Sequence, residues 1–292
     1  MCKPNKGFRL VITGKGGVGK TTLTACLGTA LARDGINVLA VDEDPQMNLP
    51  FALGLGVEKG SKIVPLNMNG DYIEEKTGIR PGKSGWGAMF KLNPNVADVV
   101  ERYGMRCREN LSLLVMGTVK QAGGGCLCAE NVLLDSTIRH LALRRNEAIL
   151  LDTQAGVEHF GRALAKGFHH CLVVSDISFN SLTVACHSAA LARETGIERV
   201  SLVVNRVKEG GEEKLARFER ETGRELAEQF DAIFMLPLES RFEELEPDVT
   251  RVMEMDGSDY AAGVAALAWR LNHGECGCGP AHHHPHETEN RR

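Results

Sequence analysis

Aromatic residues make up only 5% of this chain of 292 residues, with two tryptophans and three tyrosines. So few flat faces disfavour a surface that stacks bases. An excess of either charge is also missing: 34 Lys and Arg face 38 Asp and Glu, leaving a formal charge of −4. That balance argues against a polyanionic partner, so no nucleic-acid partner is expected. Long apolar runs are absent too. The apolar runs present are strand-sized, such as Ala148–Leu151 and Cys171–Val174, or amphipathic, far short of the roughly 18 residues a membrane span requires. No membrane partner is expected. A secretory h-region has no room before the first strand at Phe8, because it would overlap the glycine-rich loop described below. The expected compartment is the cytoplasm. In that setting nine cysteines, an odd number, read as thiols or metal ligands rather than disulfides. What the chain does have is core material, 43% hydrophobic residues against 25% charged, enough to bury a sizeable interior.

The apolar runs alternate with helical patterns. Phe8–Thr13, Asn37–Asp42, Leu111–Met116, Ala148–Asp152, Cys171–Ser175, Val200–Asn205 and Ala232–Leu236 read as strands. A helix from Lys20 to about Asp34 carries Leu23, Leu27 and Leu31 at helical spacing and stops at Gly35. Ala129–Arg145, Leu182–Thr195 and Glu212–Thr222 read as further helices. Strands apolar on both faces, joined by helical crossovers, predict an α/β fold with a mostly parallel, doubly wound sheet and helices on both faces. Residues 1–272 are expected to form one domain, with an insertion of loops and short helices at about 54–110. The tail at 273–292, rich in Cys, His, Gly and Pro, cannot bury a core and is expected to be disordered.

Gly14-Lys15-Gly16-Gly17-Val18-Gly19-Lys20-Thr21 fits the phosphate-loop pattern GxxxxGK[ST] between a strand and a helix. Glycines let successive N–H groups curl toward phosphate oxygens, and the helix N-terminus adds its positive end. Lys20 is expected to reach the β- and γ-phosphates and the Thr21 hydroxyl to coordinate Mg²⁺; Thr22 completes the loop's binding set. Lys15 is a second lysine where the general pattern is free. This form of the loop resembles that of the deviant Walker A ATPases, which include Min-type septum-placing ATPases, Par-type partition ATPases and the nitrogenase iron protein. The resemblance implies a P-loop NTPase in which Lys15 crosses a dimer interface to the partner's nucleotide.

Two carboxylates end strands, where such a sheet presents its ligand crevice. Asp152 closes Ile149–Leu151 as a Walker B carboxylate would, holding Mg²⁺ through a water; a strand-ending Asp also serves as a helix cap. Asp42-Glu43-Asp44-Pro45 looks like the family's first switch segment, in which the residue matching Asp44 activates the attacking water and Asp42 orients the loop. Asn205 ends its strand with a carboxamide suited to an adenine edge, the use the family makes of an Asn here. Arg206 joins it in the nucleotide-binding set, and Pro237 resembles the family's second purine-contacting loop. These features favour ATP over GTP.

Gly123-Gly124-Gly125-Cys126-Leu127-Cys128 leads into a helix. Glycine freedom lets two thiols spaced by one residue face one ion. A closed site usually takes four ligands, and a two-fold axis between two chains would supply them. Thiolates select Zn²⁺, Ni²⁺, Cu⁺ or iron–sulfur clusters; an incidental or redox pair of thiols is the plainer reading. Together with Leu114–Met116 and the stretch Asp152–Arg162, the segment Gly124–Leu134 is similar to CooC-type nickel-insertion ATPases, a likeness running from about residue 8 to 270. It implies an ATP-dependent homodimer that holds nickel, or zinc, on Cys126 and Cys128 and passes it to the catalytic subunit of carbon monoxide dehydrogenase. The tail adds Cys276, Cys278, His282, His283, His284 and His286, residue types suited to Ni²⁺ and Zn²⁺. His159, just past Asp152, reads as a packing residue or as a link between nucleotide and metal. Two other classes remain: a Min- or Par-type spatial switch, which would need a basic amphipathic segment not evident here, and an electron-transfer ATPase with a cluster between subunits.

Overall fold

The computed structural model describes residues 7–81, 91, 94–117, 129–141, 146–155 and 167–273. Among these, eight strands form one sheet: β1 (Phe8–Gly14), β2 (Asn37–Asp42), β3 (Met105–Arg108), β4 (Leu111–Val115), β5 (Glu147–Asp152), β6 (His170–Ser175), β7 (Arg199–Val207) and β8 (Ala232–Pro237). Their order across the sheet is β3-β4-β2-β5-β1-β6-β7-β8. Every pairing is parallel except the β3–β4 hairpin. The fold class is thus the one the sequence predicts.

The described helices are α1 (Lys20–Arg33), α2 (Leu49–Ala52), α3 (Val57–Gly60), α4 (Gly70–Thr77), α5 (Val99–Tyr103), α6 (Ala129–His140), α7 (Phe179–Glu194), α8 (Gly211–Thr222), α9 (Leu226–Gln229), α10 (Phe242–Leu245) and α11 (Asp259–His273). They cover both faces. Leu10 and Ile12 of β1 pack with Leu23, Leu27 and Leu31 of α1 and Val264 and Leu267 of α11. Val11, between them, points the other way and joins Leu133 of α6 and Leu182 of α7. A strand's side chains alternate by face, so two apolar layers force the near-continuous hydrophobic runs that mark these strands in the sequence.

The described residues between Gly54 and Asn110 contain α3, α4 and α5, and also β3, which the sequence pattern does not predict. The sequence of β3, Met-Arg-Cys-Arg, is half polar because it is an edge strand, paired with β4 alone. Within this stretch, Asp98 accepts from the Tyr72 hydroxyl at 3.1 Å and pairs with Lys76 at 2.9 Å, tying α5 to α4. Helix α11 also lies outside the pattern read from the sequence, because Ala261, Ala262, Gly263 and Ala265 dilute its apolar stripe.

Candidate nucleotide-binding site

Strand β1 stops where it does because Gly14 presses against β6. A Cβ there would lie 2.1 Å from the Val174 carbonyl oxygen, and φ is +144°. The chain then turns through residues 15–19 into α1, whose N-cap, Gly19, has φ +96° and no side-chain cap. No acidic residue sits in the first turn. The first N–H groups of α1 therefore keep their hydrogen-bonding capacity and positive end for an outside anion.

Lys20 is only 6% exposed. Its Nζ donates to the Lys15 carbonyl at 3.2 Å. Burial lowers its pKa, opposed by the nearby Asp152 and Asp44 carboxylates. Among the described residues it is the one buried cation, yet Asp42, Glu43 and Asp152 are all buried beside the loop. Asp42 and Asp152 are register partners across β2 and β5.

Those two carboxylates have different environments. Asp42 Oδ1 accepts from Asp44 N at 2.9 Å and Oδ2 from Leu49 N at 3.2 Å, so both oxygens hold the loop after β2. Burial, with Asp152 alongside, raises its pKa well above the ordinary value. Asp152, 1% exposed, has Thr24 Oγ1 at 3.3 Å from Oδ1, while Oδ2 has no hydrogen-bond partner. Burial pushes its pKa up to about 7, moderated by the Thr21 hydroxyl and Lys20. A buried carboxylate oxygen without a hydrogen-bond partner, beside a threonine hydroxyl and a second buried carboxylate, Asp42, fits a hard divalent cation such as Mg²⁺.

Asp44 is half-buried at the start of a turn, its Oδ1 accepting from Gln46 N at 2.9 Å. It acts electrostatically on both Lys20 and Asp152. Thus the structure brings Lys20, Thr21, Asp44 and Asp152 into one pocket. The Lys15 side chain is exposed on the outer surface of the loop, with Gly16 and Gly17.

Asn205 is tied to the phosphate loop. Its Nδ2 donates to Val18 O at 2.9 Å, its Oδ1 accepts from Arg206 N at 3.0 Å, and it is 3% exposed. It braces the phosphate loop. The fit is close: a Cβ on Gly19 would lie 2.4 Å from that Nδ2. Beyond it β7 bulges, putting Arg206 at φ +57° and exposed, and Pro237 pairs with Val207. The Thr24 hydroxyl behind Asp152 and the Asn205 brace carry no signature in a single sequence, since each depends on a contact between distant segments.

The cysteine pair Cys126 and Cys128, His159 and the tail residues Cys276, Cys278, His282, His283, His284 and His286 lie outside the described residues. Both anchors of the cysteine segment are described. At one end Met116 N and Gly117 N donate to the Asp42 carbonyl at 2.9 and 3.4 Å. At the other, Ala129 opens α6 and is buried. Among the described residues, no group of three or more His, Cys, Asp or Glu could hold a metal ion. Cys26, Cys107, Cys171 and Cys186 are free thiols, and burial raises the pKa of each.

A family model, the CobQ/CobB/MinD/ParA nucleotide binding domain, matches residues 10–236. The chain belongs to this family. Within it, the chain is 41% identical over 208 residues to an ATP-binding protein of Methanocaldococcus jannaschii, covering 71% of this chain and 78% of that one. It is 36% identical over 200 residues to the carbon monoxide dehydrogenase accessory protein CooC of Rhodospirillum rubrum, covering 68% and 74%. Among solved structures, the septum site-determining protein MinD of Pyrococcus horikoshii, complexed with Mg-ADP, shares the fold at a TM-score of 0.60 and 21% identity, covering 91% of this chain and 96% of that one. Residues 10–236 are thus a nucleotide-binding domain of this family. No helix among the described residues is long and apolar enough to cross a membrane.

Proposed function

We propose that this protein is an ATP-dependent metallochaperone that delivers nickel to carbon monoxide dehydrogenase, hydrolysing ATP to ADP and phosphate to switch a homodimer between holding and releasing states. The kinship with the CooC accessory protein supports the client. The observation that carries the switching is the double use of Asp42. Its side chain fixes the Asp44 loop, and its carbonyl takes the N–H groups of Met116 and Gly117, from which the chain runs on to Cys126 and Cys128. Movement of the loop beside the γ-phosphate is thereby passed to the base of the cysteine segment.

In the pocket, the open N-terminus of α1 and the loop N–H groups bind the phosphates, and Lys20 exchanges the Lys15 carbonyl for phosphate oxygens. Mg²⁺, held by Thr21 and by Asp152 through water, would neutralise charge on the β- and γ-phosphates. Asp44 orients a water and takes its proton as the water oxygen bonds to the γ-phosphorus and the bond to the β–γ bridging oxygen breaks. The exposed Lys15 reaches the partner's nucleotide, adding a cation to the spreading transition-state charge. Asn205, Arg206 and Pro237 border the base.

Nickel, or zinc in its place, is the cargo. Cys126 and Cys128 from each protomer supply four thiolates around one axis, a soft donor set suited to either ion. The tail histidines and cysteines are a collecting arm. The site works in the cytoplasm, where thiols stay reduced. The test compares nickel bound with and without a non-hydrolysable ATP analogue. In the double variant Cys126→Ser/Cys128→Ser the analogue-dependent increment vanishes while ATP affinity is unchanged. An increment equal to the wild type would overturn the reading.

A further inference from the structure

The segment that follows β8 is locked more firmly than a surface loop requires. Glu239, its side chain 8% exposed, takes four hydrogen bonds. Oε1 accepts from Arg241 N at 3.2 Å and Nε at 2.7 Å; Oε2 accepts from Arg241 Nη2 at 2.6 Å and from the Ser258 hydroxyl at 2.8 Å. The Arg241 guanidinium holds this carboxyl down at about 2. A bidentate arginine–carboxylate pair is directional as well as strong, and one closed over two residues fixes the backbone between them.

The lock extends in two directions. Ser258 is buried and its Oγ also accepts from Ala261 N at 3.1 Å, capping the first turn of α11. Helix α11 packs on β8 and on α1, the helix that begins with Lys20. Toward the sheet, Leu238 N donates to Val207 O at 2.9 Å, two residues beyond Asn205, which is itself bonded to the phosphate loop. Pro237 and Leu238 are therefore suspended between the lock and the braced end of β7. Leu238 is left 46% exposed, a large apolar side chain at the end of the sheet where the phosphate loop lies.

We propose that the Glu239–Arg241–Ser258 network is a positioning device that fixes the Pro237–Leu238 backbone as one wall of the purine site and so sets the preference for adenine over guanine. Fixed backbone groups discriminate because adenine presents an amine where guanine presents a carbonyl; a wall free to shift would accept both. Glu239 itself does not touch the nucleotide. The inference rests on the reading of the pocket around Lys20 as an ATP site.

The experiment measures the affinities of ATP, GTP and inorganic tripolyphosphate for the full chain, Glu239→Ala, Ser258→Ala and Lys20→Ala. Tripolyphosphate has no base and reports the phosphate loop alone. Glu239→Ala should weaken ATP about tenfold and narrow the ATP-to-GTP ratio by a similar factor, leaving tripolyphosphate unchanged. Ser258→Ala, which cuts the link to α11 and that helix's cap but leaves the Glu239–Arg241 pair, should move the ratio the same way by a smaller factor. An unchanged ATP-to-GTP ratio in both variants, or an equal loss for all three ligands, overturns the proposal. Lys20→Ala should abolish binding of all three. If it does not, the ATP reading of the pocket fails, and fails separately from the role of Glu239.

Discussion

Asp152 shows what the nucleotide pocket does to a single side chain. Folding strips water from the carboxyl, leaves Oδ2 without a partner, and sets it next to Asp42 in register. An uncompensated buried oxygen of this kind costs roughly 1–3 kcal/mol, a cost that the proposed Mg²⁺ would offset. Asp152→Asn, which keeps the shape and removes the charge, should raise the melting temperature of the nucleotide-free protein by about 2–4 °C. It should also remove the further rise that Mg-ATP gives the wild type. Differential scanning fluorimetry in both states checks this; a lower melting temperature without nucleotide would contradict it.

His170, at the opposite end of the sheet, titrates in the reverse sense. Its Nε2 lies 2.9 Å from Ser201 Oγ, and burial with Arg199 nearby lowers its pKa to about 4, opposed by Asp231. Arg270 lines the same cavity. The unfolded chain gains this proton near the ordinary value of 6.5 and the folded one only near 4. The contribution of His170 to stability is therefore complete above pH 6.5 and is lost as pH falls toward 4. In His170→Gln the melting temperature should fall less steeply over that window; an identical slope would show that the imidazole stays solvated.

At the scale of elements, the junctions decide the site. Gly14 lets β1 approach β6 within a distance that no Cβ permits. Gly14→Ala should cost at least about 3 kcal/mol, read as a lowered urea midpoint, and should weaken nucleotide binding with it. A midpoint within experimental error of the wild type would mean that β6 yields easily. Most elements were legible because two apolar layers impose an unmistakable pattern on parallel strands, as in Val38–Val41 of β2 and Ile149–Leu151 of β5, and because the phosphate loop is local in sequence. Edge strand β3 and the alanine-rich α11 were not, since neither needs a dense apolar run. The residues of the pocket divide in the same way. Lys20, Asp44 and Asp152 stand at the ends of strands and loops where the pattern points to them. The Asn205 brace and the Thr24 support depend on pairings across 128 residues or more, and the Glu239 lock on a helix the pattern hides.

For the whole molecule, the proposed function requires that one chain hold only half of a metal site and that nucleotide bring two halves together. The exposed Lys15 and the bonds from Met116 N and Gly117 N to the Asp42 carbonyl stand at the same end of the sheet, where the proposed function needs a cation for the partner's nucleotide and a link to the cysteines. Light scattering coupled to size exclusion, with nickel determined in each fraction after loading with a non-hydrolysable ATP analogue, tests this most directly. The expected result is a dimer that carries one nickel shared by two chains and loses it when Cys126 and Cys128 are replaced. A nucleotide-loaded monomer retaining nickel through those cysteines as tightly as the dimer would contradict it.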